Sequence, residues 1–360
     1  MERLTIPFVA GAAAGALCAR ICLFPALAAP LSGTSLILAA LAAALACLRP
    51  GWKAPYPALF FFLGLFCFCS DAMLPDRLLP PGAGLPARAA ELLRTQIRAI
   101  PYRDGRSAAL VCAVLTGDRS LLDPGLAAAF RSSGASHILA LSGLHMGLIC
   151  RIARRSTSIL GNSPAARCAR CALCCAFALF YTLATGASAS AQRACIFIIM
   201  SELSAVSQRR QSSPAQKLNA ALTLQLALRP RVLTTPAFQL SYMAMAGLVF
   251  LNPVLQGWFP QPVTRAGKHL NISRKIWEVA ATSLSCQVFT APVAYFHFGT
   301  FPRYFLLANL IALPLTAVMI SLAAGVTLLC GLGMCPGFLT AASEAAIRAL
   351  IRSMEIISGM

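Results

Sequence analysis

Apolar residues in this chain come in long blocks separated by short arginine-rich stretches. The blocks Leu4–Ala19, Ile21–Leu48, Ala54–Ser70, Ser132–Cys150, Cys171–Gln192, Val232–Thr264, Val279–Pro302 and Tyr304–Ser343 contain no ionisable side chain of Asp, Glu, Lys or Arg. An ionised group at mid-bilayer costs roughly 3 kcal/mol or more, and a helix needs about 20 apolar residues to cross the hydrocarbon. The pattern therefore predicts spans starting near Thr5, Ser32, Ala54, Ser132, Cys171, Ala191, Ala215, Pro236, Val279 and Arg303. Ala191–Val206 carries Glu202 and Gln216–Leu228 is short, so these two read either as spans or as re-entrant segments. No stretch alternates with the period of two that a barrel requires. The expected fold is all-α: a polytopic transmembrane bundle of about ten spans.

Composition agrees with the blocks. Hydrophobic residues make up 58% and charged residues 11%, against about 25% charged in an ordinary soluble domain. A water-soluble fold is excluded because it would lack polar surface, and disorder because so apolar a chain buries easily. Arg3 ahead of the first block resembles the start of a signal peptide, but further apolar segments follow closely, and we read the block as a retained first span.

Basic residues number 30 and acidic ones 11. The densest basic loop, Arg151–Arg170, holds five arginines and no acid, which places it in the cytoplasm. Counting spans from there puts Arg3, Arg49, Lys53, Arg209, Arg210, Lys217, Arg265, Lys268, Arg274 and Lys275 inside and Asp71–Arg131 outside; only Arg229 and Arg231 disagree. The organisation expected is 1–73, N-terminal spans; 74–104, a short external linker and amphipathic helix; 105–330, the main membrane domain; and 331–360, an amphipathic tail helix. Ala87–Ile100 has helical spacing with Arg88, Glu91, Arg94 and Arg98 on one side, a solvated face or a basic collar at the mouth of a pathway. The tail Ala341–Ser358 reads as a final span, an interfacial helix or a homodimer contact.

The fifteen cysteines fall mostly in apolar runs, where Cys acts as a small hydrophobe, and their scatter shows no disulfide framework. Cys168, Cys171, Cys174 and Cys175 could in principle hold zinc, but no separated second pair closes a loop, and packing between helices is the better account. No metal and no cofactor are expected.

Chemistry concentrates in a few polar interruptions. Gly134–Gly147, GASHILALSGLHMG, places two His, two Ser and several Gly in an apolar span; polar groups at that depth face a partner helix or a water-filled cavity. Ser142–Gly143 lies mid-segment, where a break or unwound turn fits. Arg193, in GASASAQRACIFIIM, either snorkels to the interface or contacts a phosphate, which its planar fork suits. Gln239, Ser241 and Tyr242 interrupt another span, and Cys286–Leu315 carries His297, Arg303, Asn309 and three Pro, with Pro314 expected to break the helix after Asn309. Three readings stay open: polar side chains that only hold the bundle together, an intramembrane serine hydrolase with Ser142 as nucleophile and His145 as base, and a conduit for a polar, anionic substrate. HExxH and P-loop motifs are absent.

The ordered set of segments resembles the ComEC competence family of DNA-internalisation channels. The segments are LTGDRSLLDPGLAAAFRSSGASHILALSGLHMG (Leu115–Gly147), TGASASAQRA (Thr185–Ala194), RPRVLTTPAFQLSYMAMAGL (Arg229–Leu248) and TAPVAYFHFGTFPRYFLLANLIALPL (Thr290–Leu315). The likeness covers roughly residues 105–330. Longer members of that family carry an external oligonucleotide-binding-fold domain, for which Asp71–Arg131 is short, and many end in a metallo-β-lactamase-like domain. No HxHxDH run occurs here, so the resemblance implies the channel module without the nuclease.

What the resemblance implies is a non-enzymatic, multi-pass channel of the bacterial cytoplasmic (inner) membrane that passes single-stranded DNA inward during competence. Its lining would include Ser136, His137, Ser142, Gly143, His145, Arg193, Gln239, Ser241 and Asn309. Arginines at the mouth would lower the free energy of a polyanion, and aromatic rings would stack bases. An inside-negative potential opposes an incoming anion, so a cytoplasmic translocase or helicase is expected to supply the drive. An external DNA receptor and a separate nuclease complete the expected partners, with the lipid bilayer itself. The remaining alternatives are the hydrolase and a non-transporting remnant of a competence protein.

Overall fold

Several helices begin where a short oxygen-bearing side chain precedes proline. Asp123, Ser163 and Ser213 stand before Pro124, Pro164 and Pro214, and each side chain accepts a backbone N–H from Gly125, Ala166 or Gln216. Proline at the first helical position costs no hydrogen bond, since its missing N–H would be unsatisfied there anyway. Gln216 returns a bond to the Ser213 backbone, completing a capping box.

A computed structural model describes residues 2–19, 24–48, 55–73, 84–139, 143–157, 161, 163–206, 213–259, 272–299 and 301–359. Among these the fold is all-α, with no strand. In chain order the helices are α1 (Glu2–Cys18), α2 (Phe24–Leu48), α3 (Pro55–Met73), α4 (Leu85–Ala99), α5 (Gly105–Thr116), α6 (Pro124–Ser132), α7 (Ser136–Leu139), α8 (Gly143–Ser156), α9 (Pro164–Ala184), α10 (Ala189–Val206), α11 (Pro214–Leu228), α12 (Pro236–Ala246), α13 (Asn252–Gly257), α14 (Ile272–Phe298), α15 (Phe305–Gly331) and α16 (Gly337–Ser358). A π-turn over Gly247–Leu251 joins α12 to α13. Among the described residues, five segments are long and apolar enough to cross a membrane: α9, α10, Pro236–Gly257, Ser273–Phe298 and α15. Glu202 does not disqualify α10, whereas α11, at 15 residues, is shorter than these five.

The chain divides into two compact units, Met1–Pro80 with Ser207–Tyr242, and Pro81–Val206 with Met243–Met360. In the first, α3 packs against both α1 and α2, and α11 lies on α1 and α3. The α1–α3 contact is made backbone to backbone at a reciprocal pair of glycines. A Cβ on Gly11 would overlap the Phe61 carbonyl, and one on Gly64 would overlap the Phe8 carbonyl. Gly11 and Gly15 form the small-xxx-small spacing that lets apolar helices approach closely.

In the second unit, α15 and α16 pack together and share one core with α5 and α6. Leu110, Leu126, Phe130, Ala312, Ile320, Ile347, Leu350 and Met354 are all fully buried there. The apolar side of the tail helix is thus covered by its own chain. Polar ties back it: Glu344 accepts the Asp104 backbone N–H at 3.2 Å, and Tyr102 and Ser343 hydroxyls meet at 3.3 Å. A second cluster, around Met146, Ala178, Ala191 and Cys195, joins α8, α9 and α10.

Two expectations need correction. α15 does not break at Pro314 but runs unbroken from Phe305 to Gly331. Proline removes the N–H that would bond the Leu310 carbonyl; flanking positions packed into the core, Ala312 and Thr316, keep the helix in line. Among the described residues one disulfide is present, Cys330–Cys335, closing the turn between α15 and α16.

Candidate functional site

The segment Thr116–Ser120 makes a turn whose geometry follows from its letters. Gly117 takes the left-handed conformation (φ 76°) that ends α5, the Asp118 backbone N–H bonds the Thr116 hydroxyl, and Asp118 accepts the Ser120 N–H at 3.0 Å. This turn aims Arg119 outward. Its Nε donates to the Leu139 carbonyl at 3.0 Å, satisfying the last residue of α7. From α9, the Tyr181 hydroxyl donates to the Leu115 carbonyl at 2.5 Å. Both bonds anchor the walls of the Ser-Gly-Leu-His segment.

Within that segment the described helices end at Leu139 and resume at Gly143. Ser142 lies outside the described residues, with residues 140 and 141. Ser136 and His137 are exposed, and the His137 ring lies within hydrogen-bonding reach of the Gly134 backbone. His145 is buried at the start of α8, within electrostatic reach of His137.

Arg193 is the organising side chain. It is buried on α10, where its Nη2 meets the Ser190 hydroxyl at 3.4 Å. A Cβ on Gly143 would stand 3.5 Å from Ala194 Cβ and 3.8 Å from Arg193 Nη2, so the start of α8 lies directly on the guanidinium. Cys286 of α14 is within electrostatic reach of the same group. α14 is held at close range here: a Cβ on Gly247 would overlap the Ser285 carbonyl, and Cys286 Sγ lies 3.8 Å from the Ala244 carbonyl. The start of α8 therefore packs on a buried cation carried by α10.

Arg193 is carried into place by a tight turn. Gly186 and Ala187 are both left-handed (φ 80° and 49°), the Gln192 side chain donates to the Ala187 carbonyl at 2.7 Å, and Ser188 accepts the Ala191 N–H. Left-handed backbone at a non-glycine residue is uncommon and costs energy, and here several bonds hold it.

The other candidates are distributed. Asn309 is buried on α15, and its Oδ1 has no hydrogen-bond partner among the described residues; Thr316 Oγ1, two turns along the same face, shares that condition. Gln239 and Ser241 belong to the first unit, where Gln239 Nε2 donates to the Leu233 carbonyl at 2.9 Å and the neighbouring Tyr242 hydroxyl donates to Gln225 at 2.9 Å. The structure thus places Gly143 against Arg193, with His137 and His145 within electrostatic reach of each other, while Gln239 and Ser241 belong to the first unit.

Charge at the ends of the helices is partly neutralised. On α4, Arg94 pairs with Glu91 at 3.0 Å and with Asp118 at 3.4 Å, while Arg98 pairs with Asp118 at 3.6 Å. The basic face of α4 is therefore bound to the turn that carries Arg119. Between α8 and α10, a cavity of about 190 Å³ is lined by Gly147, Cys150, Arg151, Arg154, Phe197, Ile198, Ser201 and Glu202. Arg154 and buried Glu202 close at 2.7 Å, which explains how α10 carries a carboxylate. Arg119, Asp118 and Glu202 had not been singled out as partners by sequence pattern. The first two lie inside the Leu115–Gly147 block, which was the one available signal; Tyr181 gave none.

Comparison with known proteins adds a separate line. A family model described as Competence protein matches residues 114–360. ComE operon protein 3 of Bacillus subtilis (strain 168) is 26% identical over 225 residues, 59% of this chain and 24% of that protein. The match thus spans about a quarter of the relative's length. No solved structure matches. All four sequence blocks lie wholly within the family match, and so do Gly143, His145 and Arg193. The chain belongs to the competence protein family.

Proposed function

We propose that this protein forms a conduit for single-stranded DNA across a bacterial cytoplasmic membrane during competence. The observation that carries the reading is Arg193, a guanidinium buried in a bundle of apolar helices and packed against the glycine that opens α8. An intramembrane cation is costly and marks a functional path by default, and the guanidinium plane matches a phosphate. Buried Asn309 and Thr316, with oxygens left unmatched, give the bundle further polar interior. Ser136, His137, Ser142, Gly143 and His145 form the working segment, with Gly143 its flexible point; Gln239, Ser241 and Asn309 brace or line the path. Since no nucleotide-binding motif occurs, the drive comes from a cytoplasmic translocase. An external receptor delivers the duplex, and a separate nuclease removes the other strand.

The test is uptake of labelled double-stranded DNA into a nuclease-resistant cytoplasmic pool, in a competent host with the gene intact, deleted, or carrying Arg193→Ala or His145→Ala. The reading expects the pool to vanish on deletion and to fall at least tenfold in both variants, with surface binding retained. Unchanged uptake on deletion would overturn it.

A further inference from the structure

The second unit gathers aromatic rings and cations at one place that the conduit reading does not use. At the α14–α15 turn the chain reads Tyr-Phe-His-Phe-Gly-Thr-Phe-Pro-Arg-Tyr-Phe over residues 295–305. Its rings point outward: Phe296 is 82% exposed and Tyr295 66%, and Phe298 and Phe301 are exposed as well. Gly299, left-handed at φ 64°, reverses the chain so that rings of both helices stand at one end. Adjacent rings meet edge to face, Phe296 to His297 at 5.3 Å and Phe301 to Phe305 at 6.1 Å between centroids.

A second segment docks on this turn. Gly134, between α6 and α7, approaches so closely that a Cβ would lie 2.9 Å from Pro302 and 3.0 Å from Phe305. Its N–H bonds the carbonyl of Arg131, an exposed residue three positions earlier in the segment that docks here, and exposed Arg303 lies on the turn itself. No carboxylate occurs between Asp123 and Glu202 or between Glu278 and Glu344. The two segments building the patch therefore carry positive charge alone.

We propose that this patch is a stacking platform for the unpaired bases of a single DNA strand, with Arg131 and Arg303 on its phosphates. The inference deepens the conduit reading and rests on it for the identity of the strand. Base–aromatic stacking tolerates any sequence, and flanking cations track the backbone. A lipid-interface belt is the competing occupant. Such belts are built from Trp and Tyr, whereas these rings are mostly Phe, beside exposed arginine and unaccompanied by acid.

The experiment uses the full chain in lipid nanodiscs and measures binding of a 20-nucleotide thymidine strand and of an abasic 20-mer. The triple variant Phe296→Ala/Phe298→Ala/Phe301→Ala is expected to weaken thymidine binding by about tenfold or more, leaving abasic binding unchanged. Arg131→Gln/Arg303→Gln should weaken both ligands and flatten the salt dependence by about 0.7 in log–log slope per cation removed. Because the rings are exposed, the triple variant keeps its packing, which melting in the same nanodiscs confirms. Equal wild-type affinity for the two strands, no binding of either, or a triple variant that binds thymidine normally each overturns the platform. Normal thymidine binding by the triple variant, with uptake lost on deletion, removes the platform and keeps the conduit. Unchanged uptake on deletion, with the expected binding differences, removes the conduit and keeps the platform.

Discussion

The side chain of Arg119 reaches across twenty residues of sequence to bond the carbonyl of Leu139, where α7 ends. That carbonyl belongs to a buried residue, the last one described in α7. Its partner comes from a turn that Asp118 and Ser120 shape and that the basic side of α4 grips. One bond thus couples the Asp118 turn to the segment that carries His137 and His145.

Arg119→Ala should therefore remove a charge-assisted hydrogen bond from the Leu139 carbonyl, at a cost of about 1.5–3 kcal/mol. Amide exchange over residues 134–145 should accelerate, with little change in the first unit. Arg119→Lys keeps the charge but loses the directional Nε–H, and it should give an intermediate exchange rate. Unaltered exchange in both variants would show the bond to be incidental.

Gly143 offers a graded test of its contact with Arg193. A methyl group there would make ordinary contact with Ala194 at 3.5 Å, so Gly143→Ala should be tolerated, with uptake within about threefold of wild type. Gly143→Leu drives its branch into the guanidinium, and overpacking of this kind costs about 1–3 kcal/mol. DNA uptake should fall at least tenfold while the protein still reaches the membrane.

Much of this architecture was legible in the chain. Charge-free blocks locate α9, α14 and α15 because hydrocarbon admits no solvated side chain, and Ser-Pro and Asp-Pro pairs mark several starts. Arg193 and the Ser-Gly-Leu-His segment stand out for the same reason in reverse. What pattern does not show is who meets whom. Arg94 and Arg98 read as a solvated face or a collar, and their spacing gives no sign of Asp118, 24 and 20 residues on, which pairs with both. Pro314 looked like a break because local preference ignores the packing that holds α15 straight. The tail helix presented an apolar stripe with three possible covers, and only the fold shows Ile347, Leu350 and Met354 turned into their own unit.

The reciprocal glycines of α1 and α3 predict a sharp size limit. Neither Gly11 nor Gly64 has room for a methyl group against the opposing carbonyl. Gly11→Leu or Gly64→Leu should force the helices apart and lower the melting temperature of the detergent-solubilised protein by several degrees. Gly33, with open space around it, is the control: Gly33→Ala should leave melting unchanged.

The Asp118 turn should respond to acid. The backbone N–H and hydroxyl of Ser120, and then the guanidinium groups of Arg94 and Arg98, hold its carboxyl below the ordinary value of 3.8. A depressed acid contributes stability that is present above its unfolded pKa and is lost as pH falls through the folded one. The α4–α5 corner should thus loosen only below about pH 4. Exchange at residues 94–120 measured from pH 6 to pH 3 should rise in the wild type and be already high, and flat, in Asp118→Asn.

The bond from Asp104 to Glu344 spans 240 residues, and this separation sets a clock on biogenesis. At a synthesis rate of about 5–20 residues per second, roughly ten to fifty seconds pass between the appearance of the two partners. Throughout that interval the faces of α5 and α6 that α16 will cover, Leu110 and Phe130 among them, have no lid. The core that α5 and α6 share with α16 therefore closes only once α16 has been made. A lesion in α16 would consequently act less on a finished protein than on the yield of chains that survive to be finished.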